Sequence, residues 1–297
     1  MSLDFHFFDL DARREMAGIG EFFPKWRSSN EEAVVILSPH DDDAILGAGY
    51  AILASLSQDA RVRVVIFHKG DAGYSSASEK ATIVETRKHE TEAAYRALGI
   101  PPEHLLRLEL PDFSGNAYVG HHKPTIDGDG APLGTFERLL VFLRKTRATR
   151  LLFANGFREH IDHAAVAASG LYYGPQAGDP VVVDWAEPWT VSSFMEYSVW
   201  GSFDPVEAIR RGGAATGKPA MPANLAIVAG EGVERRVQQA LQSFASQQAI
   251  IKGILENRKE RRVATGGFIE LYMTVDPRPR LDYAPYKKLV EEITTKK

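Results

Sequence analysis

The sequence predicts an α/β fold with a mainly parallel sheet and helices on both faces. Three observations lead there. Short β-branched runs alternate with helical patterns of a dozen or more residues, the signature of crossover connections. The chain of 297 residues is 44% hydrophobic and 25% charged, a balance typical of a water-soluble globular core. No linker interrupts the alternation, so residues 1–297 read as one domain.

Ala33–Leu37 (AVVIL) is the first strand, ending at Ser38-Pro39, and Ala44–Leu56, rich in Ala, Leu and Ile, is the helix that follows. Arg61–Phe67 is the second strand. Ala77–Leu98 reads as a long amphipathic helix closed by Gly99 and followed by Pro101-Pro102, an ordinary helix stop. Leu105–Leu110 is a strand stopped by Pro111, Thr135–Thr146 a helix, and Arg150–Ala154 the next strand. Val181–Trp185 and Ser193–Val199 have strand character. Gly232–Leu255 is read as one long helix, with Val233, Val237 and Leu241 spaced four apart. The stretches Asp112–Leu133, Gly174–Pro180 and Gly201–Ala223 are loop-like.

Composition excludes several functions. There is no cysteine, hence no disulfide, thiolate nucleophile or Cys-ligated metal. Any metal must be held by His, Asp, Glu or carbonyl oxygens. The net charge is −4, which argues against nucleic acid as a partner. The last 47 residues carry 11 basic and 7 acidic groups, leaving the first 250 at about −8. The run Arg258–Arg262 (RKERR) reads as a solvated helix end rather than an anion site. No apolar run reaches the roughly 18–20 residues of a membrane span. The N-terminus is acidic where a signal peptide is basic, so a cytoplasmic location is expected.

The chemistry concentrates in two places. Immediately after the first strand stands Ser38-Pro39-His40-Asp41-Asp42-Asp43. Loops at the carboxyl ends of strands line the ligand crevice of an open α/β sheet. Three adjacent carboxylates repel one another, and a divalent cation would compensate them. One Asp suffices to cap the following helix. His40 and Asp43, three apart, can turn toward one metal, with Asp42 beside it. The second cluster, His160-Ile161-Asp162-His163, follows Arg150–Ala154 and opens an Ala-rich helix, Ala164–Ser169. His160 and His163 lie one turn apart and can share a helix face.

These residues resemble the PIG-L/LmbE family of zinc-dependent N-acetylglucosamine-type deacetylases. The match lies in PHDDD (39–43) followed by Leu46-Gly47-Ala48-Gly49, and in HIDH (160–163). Weaker matches follow in order: Gly70-Asp71-Ala72-Gly73, then Arg87 and Glu90 in a helix ending Ala97-Leu98-Gly99, and Ser246-Gln247. Two positions depart from the family pattern. Asp41 stands where a proline is usual, which removes a fixed φ, and Ala44 where an acidic residue is common.

The resemblance implies a Rossmann-like three-layer fold with additional C-terminal strands and a helix. It implies Zn(2+) held by His40, Asp43 and His163, with an open fourth position. It makes Asp42 the general base, and His160 the stabiliser of the oxyanion as a cation held by Asp162. The implied substrate is an N-acyl, most simply N-acetyl, amino-sugar or glycoconjugate. Either Asp42 or His160 protonates the leaving amine. A different bond, such as a phosphoester, or a non-catalytic sugar-binding role remain alternatives, and a homo-oligomer is compatible with the sequence.

Other residues carry less. Asp71 and Gly73 read as pocket-shaping or as a plain strand-end turn, and Arg87 with Glu90 as site support or an intrahelical pair. His121-His122 read as a solvated loop. His6, His68, His89 and His104 are assigned structural roles. Trp185, Trp189, Trp200 and Tyr197 offer aromatic faces to a sugar, or simply core.

Overall fold

The computed structural model describes residues 4–27, 29–120, 134–200, 203–205, 221–278 and 281–295. Its strands are β1 (Phe5–Asp9), β2 (Arg14–Met16), β3 (Ala33–Ser38), β4 (Arg61–His68), β5 (Leu105–Leu110), β6 (Arg150–Ala154), β7 (Ser193–Tyr197), β8 (Phe203–Pro205), β9 (Met221–Ala223), β10 (Leu225–Ala229) and β11 (Phe268–Val275). Its helices are α1 (Ile19–Phe22), α2 (Asp43–Leu56), α3 (Ile83–Leu98), α4 (Thr135–Thr146), α5 (Ile161–Gln176), α6 (Glu231–Leu241), α7 (Gln248–Arg258) and α8 (Ala284–Thr295).

Nine strands form one sheet in the order β2-β1-β10-β11-β7-β6-β3-β4-β5. The five strands from β7 to β5 are mutually parallel. The other four extend the sheet antiparallel beyond β7. Within the parallel half the chain starts at β3, winds out through β4 to β5, then returns to add β6 and β7 on the other side. The winding direction therefore reverses between β3 and β6, and a crevice opens there, outside the carboxyl ends of the two strands.

Helices cover both faces. Gly47 of α2 abuts Tyr197, whereas Gly174 of α5 abuts Phe194. Residues three apart on a strand point to opposite faces, so α2 and α5 lie on opposite sides of β7. On the α2 side, α2 and α3 both pack against α6; on the other side α4 packs against α5. Every residue of β3 and β6 is buried, which the apolar runs AVVIL and LLFA require. The core is continuous through the parallel and antiparallel halves.

Several expected elements take a different form. Val181–Trp185 is not a strand: Val183–Trp185 is a 3-10 turn. The buried Arg144 guanidinium donates to the carbonyls of Ala177, Asp179, Val181 and Val182, leaving them no strand partner. The long helix expected over Gly232–Leu255 is two helices, α6 and α7. Between them the chain turns so that Phe244 is fully buried and Ser246 reaches Glu90. Ala77–Glu79 is a separate 3-10 turn with its own Ser76/Glu79 capping box, and α3 starts only at Ile83. Arg258 is not part of a solvated run. It is buried and paired with Glu234 at 2.7 Å, with its Nη1 on the Leu46 carbonyl. His121 and His122 lie outside the described residues.

No helix among the described residues is long and apolar enough to cross a membrane.

One close approach fixes α2 against the sheet. A Cβ on Gly47 would meet the Tyr197 ring and lie 2.6 Å from the Ser198 carbonyl oxygen. Backbone cannot yield as a side chain can, and overpacking of this kind costs about 1–3 kcal/mol. Gly47→Ala is therefore expected to lower the melting temperature, although alanine is the better helix former. A chemical denaturation series would detect the loss.

Candidate active site

The site is assembled from the ends of β3, β4, β5 and β6, around the crevice. The turn after β3 is tied by Ser38, whose hydroxyl donates to the His40 carbonyl and accepts the Ala44 N–H. That closes residues 39–42 into a compact loop and brings Asp43 back under His40. Asp43 Oδ2 accepts the His40 backbone N–H at 2.9 Å and lies 3.0 Å from His40 Nδ1. The same oxygen is 3.2 Å from His163 Nε2 on α5. Donor atoms of His40, Asp43 and His163 all fall within 4.8 Å of one another.

The far side of each imidazole is also held. His163 Nδ1 is 2.7 Å from Glu159 Oε2, and His40 Nε2 is 3.2 Å from Asp162 Oδ2. Glu159 and Asp162 are fully buried side chains. Each histidine thus turns one nitrogen to Asp43 and the other to a buried carboxylate, the arrangement that fixes ring orientation and raises basicity in metal-ligating histidines. Bonds of about 2.0 Å to a tetrahedral zinc imply donor atoms about 3.3 Å apart. The spacings of 3.0 and 3.2 Å fit such an ion, as does the N/N/O donor set.

The electrostatics follow from that packing. Burial pulls His163 down, but the Asp43 charge and the bonds to Asp43 and Glu159 outweigh it and push it up to about 9. His40 is likewise depressed by burial and raised well above its ordinary value by Asp162 and Asp43. Burial raises Asp43, yet His163 and His40 hold it well below the carboxylate range. Asp42 is different. Burial pushes its carboxyl upward against the Arg87 guanidinium, 3.6 Å away, and neighbouring Asp43 adds to the rise.

Asp162 ties the loops together. Its carboxylate accepts the N–H groups of Phe113 and Gly115 from the segment after β5, at 2.8 and 3.1 Å. It lies 3.2 Å from His40 and 3.2 Å from His68. These contacts hold its pKa well below normal despite burial. The expectation that Asp162 holds His160 as a cation is corrected here. His160 Nδ1 accepts the Asp162 backbone N–H, so a neutral ring keeps its proton on Nε2. The Asp162 carboxylate, 3.5 Å from that nitrogen, turns to His40 and His68 instead. Burial and the nearby positive His40 lower the His160 pKa.

His68 also departs from its expected role as an isolated structural histidine. It is fully buried inside the site, with Nδ1 donating to the Pro39 carbonyl at 2.8 Å. It ends β4 where the register with β5 shifts, and such irregularities re-aim side chains at sheet ends. Its only sequence signal was its place at a strand terminus. Glu159 was missed as well, although it lies four residues before His163 on the incoming turn. Its Oε1 accepts Ser198 Oγ and the N–H groups of Val199 and Trp200, fixing the wall formed after β7.

Asp41, in place of the usual proline, is buried and paired with Arg87 at 3.1 Å and with Arg107. Arg87 thereby supports the site rather than pairing within its helix, and Glu90 accepts the Ser246 N–H and hydroxyl. Asp71 accepts the Asp112 N–H, while Asp112 accepts those of Gly70 and Ala72, a turn that braces the loops. Gln247 reaches the Gly73 carbonyl. Of the aromatic candidates, Tyr197 is core, its hydroxyl on the Leu37 carbonyl, and Trp189 donates to Ala148. Trp200 is exposed. Phe113, unforeseen, is 65% exposed at a positive φ of 63°, with its ring centroid 4.7 Å from that of His160.

A family model described as PIG-L: GlcNAc-PI de-N-acetylase matches residues 35–172. Those residues run from β3 into α5 and contain all six candidate site residues. Residues 35–172 are thus similar to PIG-L family domains. Among curated proteins, none matches the sequence closely enough to count as a relative. Several solved structures superpose over most of this chain. N,N'-diacetylchitobiose deacetylase from Pyrococcus horikoshii is 15% identical with a TM-score of 0.59, covering 83% of this chain and 84% of its own. The A40926 pseudoaglycone deacetylase Dbv21 is 17% identical with a TM-score of 0.59, covering 84% of this chain and 100% of its own. GalB, the 4-carboxy-2-hydroxymuconate hydratase from Pseudomonas putida KT2440, is 17% identical with a TM-score of 0.55, covering 85% and 100%. At these identities the likeness is one of fold.

Next to the site, Glu196 on β7 is buried, and its pKa is pushed up to about 7 by desolvation and then by Glu159. A carboxyl raised in the folded state contributes stability that is full below its unfolded pKa and is lost as pH rises through the folded value. Glu196→Gln is therefore expected to match wild type near pH 4.5 and to gain on it up to pH 8. The gain is on the order of 1–3 kcal/mol, measured by denaturant unfolding at the two pH values.

Proposed function

We propose that the protein is a zinc-dependent hydrolase that removes an N-acyl group, most simply N-acetyl, from an amino-sugar or glycoconjugate. The carrying observation is the pair of histidines that share Asp43 and are each backed by a buried carboxylate. The PIG-L domain and the deacetylases sharing its fold support the choice of bond. His40 Nδ1, Asp43 and His163 Nε2 hold the metal. A bound zinc polarises an acyl oxygen and lowers the pKa of water to about 7.

The chain's own groups do the rest. Asp42 receives the proton of the attacking water, and the Arg87 guanidinium keeps its carboxylate in place. His160, with its proton on Nε2, donates to the acyl oxygen as negative charge develops there. Its Nδ1 is committed to the Asp162 N–H, so this ring does not need to ionise. Asp42 then returns its proton to the departing amine, which one carboxylate does most simply because it has just taken that proton up. Asp162 is a positioning residue for His40, His68 and the 113–115 turn. Phe113, exposed beside His160, offers an apolar face to the sugar ring.

The experiment is a pair of variants assayed for zinc and for acetate release from N-acetylglucosamine conjugates. Asp43→Ala is expected to lose the metal. Asp42→Asn is expected to keep it while hydrolysis falls at least about 100-fold. Undiminished hydrolysis in Asp42→Asn overturns the assignment of the base. A wild-type protein that releases phosphate from phosphoesters, or hydrates an unsaturated acid as GalB is named for, overturns the choice of bond.

Removal of zinc by a chelator, followed by readdition, is expected to abolish and restore acetate release. Full activity in the metal-free protein would sink the metal-dependent reading.

A further inference from the structure

The site leaves one conspicuous feature unused. Helix α8 (Ala284–Thr295) has no buried residue. Tyr286, Leu289, Val290 and Ile293 are between 54% and 61% exposed, and their spacing of three and four aligns them in one stripe. Tyr283 and Leu281, just before the helix, are also exposed. Among the described residues nothing covers this face. A helix of 12 residues is marginal alone in water and draws its stability from packing an apolar face.

The charges identify what it packs against. Lys287 and Lys288 lie in the first half, Glu291 and Glu292 in the second. For an isolated helix this order is unfavourable twice over. The dipole prefers acids at the N-terminus and bases at the C-terminus, and i,i+4 pairs are better with Glu preceding Lys. For two antiparallel helices the order is the favourable one. Seated on a twofold axis between Leu289 and Val290, Tyr286 meets Ile293 of the second copy and Leu289 meets its Val290. Lys287 and Lys288 then flank Glu291 and Glu292 of the second copy on both edges. A parallel pair would set lysine against lysine. A membrane surface is disfavoured too, because interfacial helices carry an excess of Lys and Arg on the polar face, whereas two bases here balance two acids.

We propose that α8 is a dimerisation helix that pairs antiparallel with α8 of a second copy of this chain. Such a contact is isologous and closes with two members. The helix is about 18 Å long and buries less than the roughly 1,600 Å² of a standard interface. The dimer is accordingly weak and concentration-dependent, in the micromolar range. Six residues before the helix, Arg278 grips Asp179 through two bonds of 2.6 Å.

Light scattering of the full chain after size exclusion, from about 5 to 200 µM, tests this. Wild type is expected to shift from one to two chains across that range. Leu289→Ser with Val290→Ser, both at exposed positions, is expected to stay monomeric with unchanged melting. Lys287→Glu with Lys288→Glu is expected to weaken the dimer at least tenfold, and adding Glu291→Lys with Glu292→Lys to restore it. The absence of cysteine makes orientation testable. Mixed Tyr286→Cys and Ile293→Cys proteins are expected to cross-link to each other faster than either to itself. A wild type monomeric at 200 µM, a dimer indifferent to these substitutions, faster self-cross-linking, or a monomer that binds anionic vesicles would each overturn the proposal.

Discussion

One buried carboxylate holds four separate pieces of chain in register. Asp162 is fully buried on α5, and its oxygens are shared among His40 after β3, His68 at the end of β4, and the backbone of Phe113 and Gly115 after β5. An ionised carboxylate in the interior is tolerable only when it is surrounded by donors. Satisfying Asp162 therefore obliges three loops to converge, and the site is where they converge. Remove the carboxylate and each loop loses its reason to be there.

The same principle repeats around the donor set. Glu159 connects His163 to the segment 198–200, and Asp41 connects the first loop to α3 and β5 through Arg87 and Arg107. His40, His163 and Asp41 are thus each backed by a second charged group. Rigidity of this sort lets a carboxylate such as Asp42 sit beside cations without being neutralised by a direct short bond, its nearest arginine nitrogen being 3.6 Å away. Preorganised charge of this kind is worth more in a dry site than in water.

Much of the parallel half was legible in the sequence because its constraints are local. Leu105–Leu110 and Arg150–Ala154 match β5 and β6 residue for residue, since a short apolar run between turn residues leaves little choice. The two motifs could be placed after strands of one sheet, and the choice of His40, Asp43 and His163, which the structure brings within 4.8 Å of one another, was what the family resemblance implied. What the sequence could not disclose is long-range. His68 and Glu159 are joined to the site by contacts across the fold, with no motif of their own. The pairing of Asp162 with His40 rather than His160 depends on which nitrogen the helix start claims. Val181–Trp185 has strand composition, but one buried arginine in α4 takes its carbonyls.

The Asp41 ion pairs also bear on which changes this loop can take. Where the motif it resembles has proline, this protein has a carboxylate paired with two arginines. A change to proline would remove the Asp41 partner of both arginines, leaving Arg87 with Asp42 at 3.6 Å and Arg107 with Glu109 at 2.8 Å as counter-charges. The residue at position 41 is thus coupled to two arginines at once, and a change there is felt in α3 and β5 as well as in the loop.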